Sequence, residues 1–547
     1  MVIQLLQSFR KISRSWLSPH HVGRQPLTSC LIIGLTTVAG SHGFAEGQDP
    51  LLNLLLQKGI LTEEEAKKVQ TELDTGRTNA LQMPPPESKW KINNAIKSIE
   101  LFGDLRVRYE YRKADVPDGR VELDRGRYAV RLGLRGEAFD DFYYGVRVDT
   151  AANSRSPWLT FGTSSSGIPY QGPYGKSTAG IDIGQVYIGW KPETWFDFVI
   201  GKMPQPFYTT PMVWDTDINP EGAAEKFKYT VGEADFFATF GQFLYQDVNP
   251  TYASGGLGFN GSAGQRTTPV FQLAWQAGVN YHIKTNLSAK IAATLYQYIG
   301  QETNHSPFFG DPYVGEGAFT GAGTANPVNG ASGLGTSSSL PGNSSFGFPN
   351  NQVGLNHLLV LEIPAEVKFK IRSLNARLFG DFAYNIEGKD RAEQAAAGYA
   401  AYLAQQSTVS PVSVTPFSPQ RNDVKAYQVG FGLGNGGDVY GPMQGLVYGT
   451  TSKKNTWEAR TYWQHVEQYS LDPNLLDSDF FEGRANLEGI YVALAYSPAN
   501  NVITTFRYGY AHRINEQLGT GGANQDIPQV NPIQHYNLLQ VDLTFRF

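Results

Sequence analysis

The chain has 547 residues, with 45 Lys and Arg against 50 Asp and Glu and a formal net charge of −5. That sign argues against a general nucleic-acid binder, and a single cysteine, Cys30, leaves no disulfide framework and no thiolate metal site. Mean hydropathy is −0.32 and no run of about 18 apolar residues occurs, so no helical membrane span is expected. A transmembrane β-barrel is compatible with these values, because residues facing a wet lumen dilute hydropathy.

Residues 1–45 read as an export signal cut near Ala45. Arg10, Lys11, Arg14 and Arg24 are its only charges, Leu31 to Gly40 is a short apolar core, and Gly43 and Ala45 are the small residues before the cut. Leu27-Thr28-Ser29-Cys30 resembles a lipoprotein box, but the apolar run follows Cys30 instead of preceding it, so lipidation is not expected. Removing the leader widens the acid excess. Residues 46–83 then predict a periplasmic helical hairpin. Gly59 breaks two short helices, and Thr62 with Glu65 forms a capping box. Leu51, Leu52, Leu55, Leu56 and Ile60 make an apolar stripe, suited either to self-packing or to contact with a periplasmic or cell-wall partner through residues 50–75. Pro84-Pro85-Pro86 opens a stiff linker, 84–98.

From residue 99 to residue 547 the hydrophobic period becomes two. In Ile99 to Arg112, Leu101, Leu105, Val107, Tyr109 and Tyr111 share one face, with Asp104, Arg106, Arg108, Glu110 and Arg112 on the other. Sixteen such segments are predicted: 99–112, 126–139, 141–150, 181–191, 195–203, 225–231, 235–245, 268–283, 286–299, 356–371, 374–386, 423–434, 455–468, 484–497, 501–513 and 534–547. Their connections alternate long and short, the design of an outer-membrane barrel with long loops on one rim and tight turns on the other. An even strand count leaves both termini on the short-turn, periplasmic side. The connection Asn435 to Lys454 breaks the rule. It is either a turn-side insertion or hides a strand pair near Leu446-Val447-Tyr448, which would give eighteen; sixteen is the expectation. The last segment alternates Leu539, Val541, Leu543, Phe545 and Phe547 with Gln540, Asp542, Thr544 and Arg546, as a closing strand between lipid and water would. Aromatics gather near strand ends, among them Trp190, Trp195, Phe196 and Tyr298, at the level of a headgroup girdle.

A barrel of this size keeps an aqueous channel, so its inward residues decide function. Arg106, Arg108, Arg127, Arg131, Arg135 and Arg147 fall at inward positions of the first three strands and would form a basic wall needing counter-charge. The segment after the fifth strand, 203–226, carries Asp215, Asp217, Glu221 and Glu225, stiffened by Pro204, Pro206, Pro211 and Pro220. Its place resembles that of the inward loop of general porins, whose acids face an arginine ladder; the other reading is an external loop with solvated acids. Asp215 to Asn219 begins like a calcium loop, but Pro220 stands where glycine is required and Lys226 where the bidentate glutamate belongs, so no metal is expected. Asp477-Ser478-Asp479 offers carboxylates for weak divalent-ion binding, but a solvated loop is the expectation. No catalytic set or nucleotide motif stands out. A hydrolase would need a serine or a carboxylate pair against His465, and His465 reads instead as a wall or rim residue.

Three stretches, LLNLLLQKGILTEEEA (51–66), GKMPQPFYTTPMVWDTDINPEG (201–222) and TWEARTYWQHVEQYSLDPNLLDSDF (456–480), resemble the "putative porin" family of Gram-negative outer-membrane proteins. The resemblance implies an all-β, transmembrane, antiparallel up-and-down barrel forming a pore for ions and small hydrophilic solutes. By analogy with general porins it is a homotrimer, with no cofactor and no catalysis. The rival expectation is a plugged structural barrel whose N-terminal helices tether the membrane to the cell wall.

Overall fold

In the computed structural model the chain divides into two units, Met1–Glu87 and Ser88–Phe547, and the second carries the sheet. The structure describes residues 68, 95–116, 119–151, 156–162, 180–246, 270–299, 357–393, 396, 421–436, 443–450, 452–472, 475–520, 527 and 532–547. The export signal, the hairpin at 46–83 apart from Lys68, and most of the linker lie outside the described residues.

Seventeen strands follow one another: β1 (Glu100–Val116), β2 (Gly119–Glu137), β3 (Phe142–Ala151), β4 (Leu159–Thr160), β5 (Gly180–Glu193), β6 (Phe196–Lys202), β7 (Glu221–Val231), β8 (Ala234–Gln246), β9 (Val270–Lys284), β10 (Leu287–Ile299), β11 (Leu359–Ile371), β12 (Leu374–Asn385), β13 (Lys425–Gly434), β14 (Thr456–Val466), β15 (Leu487–Ala499), β16 (Val502–Arg513) and β17 (His535–Arg546). β4 is a two-residue rung that pairs with β2 at Arg127 and Tyr128. The other sixteen form one closed antiparallel barrel. Closure is made by β1 against β17, in register from Asp104 opposite Arg546 to Asp115 opposite His535. The chain end seals it, with Gly103 N donating to Phe547 O at 3.0 Å and Phe547 N to Gly103 O at 3.2 Å.

Alternation along the strands sorts side chains as the sequence pattern requires. On β1, Leu101, Leu105, Val107 and Tyr109 are 44–50% exposed on the outside, while Asp104, Arg108, Glu110 and Arg112 are at most 8% exposed on the inside. Leu543 and Phe545 face outward on β17, and Gln540 and Asp542 inward. A continuous apolar outer wall with buried charge behind it inverts a soluble protein and suits hydrocarbon. On the tight-turn rim the rings of Phe139, Phe142, Trp190, Phe196, Trp195 and Phe227 touch in sequence, with centroids 5.2–6.2 Å apart, at the girdle level expected of amphipathic aromatics.

Two differences from the sequence expectation have local causes. The first hairpin is longer, reaching Val116 and restarting at Gly119, because Arg120 with Asp115 and Arg125 with Glu110 tie its polar flanks across the ladder. β7 begins at Glu221, since Gly222, Ala223 and Ala224 pair with β6 although they lack an alternating apolar signal. As expected, the described residues of the insertion after β13 supply no strands. Leu446–Tyr448 is a single 3-10 turn closed by left-handed Gly449, so the count stays at sixteen.

Candidate functional site

The connection from β6 to β7 leaves the wall and crosses the lumen. At its root Gly201 and Gly222 face each other with φ of 122° and 154°; a Cβ at either would lie 2.1–2.2 Å from a carbonyl oxygen of the next strand, so only glycine lets the chain depart there. Met203 N donates to Pro220 O at 2.9 Å and closes the base. The loop packs through Phe207 and Trp214, whose rings meet Phe243 of β8 and Tyr296 of β10 with centroids 6.0–6.5 Å apart. The Trp214 indole donates to Ile218 O at 3.1 Å, which folds the loop tip on itself.

Polar tethers then carry the loop from one side of the barrel to the other. Tyr208 exchanges two 2.9 Å hydrogen bonds with Gln276 of β9. The Thr209 hydroxyl donates to Glu362 of β11 at 2.6 Å, and that carboxylate also accepts from Tyr296 at 2.7 Å. Thr210 donates to Asp381 of β12. At the tip Arg131 of β2 pairs with Asp217, and Gln185 of β5 donates to Asn219 at 2.9 Å. Contacts to β2, β5, β9, β11 and β12 from one loop require it to span the channel.

Among the described residues, two further segments enter the lumen. Leu471, Leu475, Leu476, Phe480 and Phe481, in the connection from β14 to β15, are buried. Asp215 joins this segment to the loop: its backbone N–H donates to Leu475 O at 2.7 Å, and its carboxylate accepts from the N–H of Ser478 at 2.9 Å and of Asp217 at 2.8 Å. Asp479, half-buried, pairs with Arg108 at 2.8 Å, which corrects the expectation of a solvated loop at 477–479; the buried Arg108 guanidinium requires partners for its charge. From the tight-turn rim comes the insertion after β13. Leu446 N donates to Glu458 at 2.7 Å, and Arg507 donates to Val447 O at 2.8 Å.

All six arginines of the predicted wall lie on the inner face, and most find acids on the wall itself. Arg106 pairs with Asp104 at 2.5 Å, Arg147 with Asp149 at 2.7 Å, and Arg135, at the rim, with Glu100 at 2.9 Å. Arg108 pairs with Asp542 of β17 at 2.7 Å and covers the Trp158 ring at 3.9 Å. Arg127 donates to Trp158 O at 3.2 Å and approaches Glu110 at 3.5 Å. Of the three predicted loop acids, Asp217 meets Arg131, Asp215 holds backbone N–H groups, and Glu221 on β7 pairs with Lys202 at 2.5 Å away from the arginines. Sequence reading missed Glu110, Asp149, Asp479 and Asp542 as counter-charges. The inward parity of Glu110, Asp149 and Asp542 was visible, whereas Asp479 lies in a connection, and which arginine each would meet depends on barrel closure.

His465 sits on the outward parity of β14, stacked on Tyr427 at 4.6 Å. It does meet a carboxylate pair, Glu488 at 2.7 Å and Glu467 at 3.3 Å, which occupies both ring nitrogens; Ser470 donates instead to Glu467 O. Among the described residues no serine is held for activation there. Among the described residues no group of His, Cys, Asp and Glu is arranged to hold a metal.

Burial, reinforced by the neighbouring Asp217 charge, pushes the Asp215 carboxyl up to about 7, and burial with Asp215 and Asp479 nearby pushes Asp477 well above the usual carboxylate range. Against the same burial, Arg108, Arg507 and Arg112 hold Asp479 well below it. With Asp215 raised, the closed loop junction binds more protons than a released loop between the ordinary carboxylate range and about 7. The junction is therefore tightest in acid and loosens as pH rises through that window. Current fluctuations in a planar bilayer should grow from about pH 5 to about pH 8, and Asp215→Asn should flatten the dependence. Equal fluctuations at both values in the unmodified protein would contradict the assignment.

A closed sixteen-strand barrel with an apolar outer belt and a lumen crossed by an anchored loop defines an outer-membrane barrel of the porin class. The chain belongs to the family described as "putative porin", whose model matches residues 114–547. That membership makes it an outer-membrane channel protein. Among solved structures it is similar to OprB of Pseudomonas putida, at 12% identity and TM-score 0.41 over 82% of this chain and 94% of that one. It is also similar to OmpT of Vibrio cholerae, at 9% identity and TM-score 0.35 over 84% and 99%. The outer membrane channel DcaP of Acinetobacter baumannii aligns at 11% identity and TM-score 0.35 over 82% and 97%. No curated protein matches the chain.

Proposed function

We propose that this protein is a passive diffusion porin for ions and small hydrophilic solutes, exported by a signal cut near Ala45, trimeric in the membrane, and narrowed where segment 203–226 faces the arginine-bearing wall. The observation that carries the reading is the Arg131–Asp217 pair, which joins the tip of the crossing loop to β2. Charged groups lining a narrow waist set a local field that orients dipolar solutes and screens ions. For the trimer, one OmpT structure is described as a trimer form, and the apolar outer wall here offers a surface on which copies could pack. Nothing is catalysed: the protein lowers the barrier to solutes that lipid excludes.

The experiment is reversal potential under a salt gradient. Asp215→Asn with Asp217→Asn removes the loop-tip acids and leaves Arg131 with Asp149 at 3.8 Å as its remaining carboxylate within ion-pair distance among the described residues. Selectivity should shift toward anions; an unchanged reversal potential would contradict the constriction. One observation favours the rival, a plugged structural barrel tethered through residues 50–75: three segments bury apolar side chains in the lumen. A plugged barrel would show no open conductance level.

A further inference from the structure

A cavity of about 590 Å³ lies between the crossing loop and the tight-turn rim. Pro206, Phe207, Tyr208 and Thr209 form one boundary, Met443 and Gln444 of the insertion form another, and strands β8 to β12 supply the wall. This volume falls in the range of pockets that enclose metabolite-sized ligands.

Its charge distinguishes it from the rest of the lumen. Lys284, Lys290, Lys368 and Lys370 line it, against one acid, Glu366. Elsewhere on the inner wall the arginines of β1 to β3 and β16 sit against carboxylates at hydrogen-bond distance. In the cavity only Lys368 has such a partner, Glu366 at 3.4 Å. Among the described residues Lys284, Lys290 and Lys370 have no carboxylate within ion-pair distance. Lys290 instead lies over the rings of Tyr208, at 3.9 Å, and Phe237, at 4.8 Å, which orient the ammonium group. His282 is occupied by Asp235 at 3.1 Å. Positive groups crowded in a concave site with low-dielectric walls focus the field and concentrate counter-ions. Asn280 and Ser288 add polar groups, and the faces of Phe237 and Phe369 add apolar surface for a carbon skeleton.

We propose that this cavity is a binding subsite for small multivalent organic anions, molecules bearing two or more negative charges on carboxylate or phosphate groups, held by Lys284, Lys290, Lys368 and Lys370. The inference rests on the pore reading, in that such anions reach the cavity by traversing the barrel. It makes the tight-turn mouth anion-concentrating, whereas the waist is charge-balanced.

The test is calorimetric titration of the detergent-solubilised full chain with citrate and with glucose 6-phosphate, glucose serving as the neutral control, paired with single-channel recording of the same preparation. Both anions should bind and glucose should not. Lys290→Gln with Lys368→Gln should weaken binding by about tenfold or more. Lys454→Gln, at an exposed lysine outside the cavity, should leave it unchanged. Preference for one anion assigns the carboxylate or the phosphate source. No anion binding by the unmodified protein, or binding indifferent to the two cavity substitutions, would overturn the subsite. A chain that conducts without binding anions contradicts the subsite alone, and one that binds but never conducts contradicts the pore.

Discussion

Trp214→Ala should release the crossing loop and raise single-channel conductance. The indole is 2% exposed, packed between Phe243 and Tyr296, and its N–H holds Ile218 O. Truncating a fully buried tryptophan costs about 3–5 kcal/mol through lost contacts and the cavity left behind. The ladders of β8 and β10 do not run through Trp214, so the loss should be expressed in the loop, leaving the barrel closed. The tethers at Thr209, Thr210, Asp217 and Asn219 would remain, and the stretch between Thr210 and Asp217 would loosen between them. Conductance should rise, and chymotrypsin should gain access to Phe207 and Tyr208. Unchanged conductance together with a protected loop would show that Trp214 does not hold the constriction.

Asp542→Asn should cost the barrel more than any other single charge on the closing strand. Asp542 is 3% exposed and serves two guanidiniums, Arg108 across the β1 seam at 2.7 Å and Arg507 on β16. Removing one partner of a buried ion pair typically costs about 3–5 kcal/mol, because the remaining charge stays desolvated. Arg108 would keep Asp479 and Glu110, whereas Arg507 would keep only the Val447 carbonyl among its hydrogen bonds to described residues. Urea unfolding followed by tryptophan fluorescence should show the loss. Adding Arg507→Gln should recover part of it, since the unpaired cation goes with its charge. If the double variant is no more stable than the single one, the seam is not held by this triad.

How much of this was legible without coordinates follows from which forces are local. Each barrel strand lies between hydrocarbon and water, so the pattern Leu105, Val107, Tyr109 against Asp104, Arg108, Glu110 is imposed residue by residue and can be read from the chain. Strand order was legible for the same reason, since tight turns force neighbours to pair. The lumen was legible only in part. Inward parity of the six arginines and a proline-stiffened acidic segment could be read, but the partners could not. Arg108 meets Asp542 because the first and last strands adjoin, and Asp215 meets Ser478 because two loops enter the same space. One signal was available and went unread: Leu471, Leu475, Leu476, Phe480 and Phe481 are too apolar for a connection left in solvent. The cavity lysines likewise sit on three strands, and only the barrel brings Lys284, Lys290 and Lys368 to one wall.

The central claim is that water-filled space persists past the three inward segments, and recording from the purified full chain in a planar bilayer tests it most directly. Discrete, reproducible open steps in salt solution are the predicted result. Membranes that stay silent after verified insertion of folded barrels would contradict it and leave the plugged barrel standing.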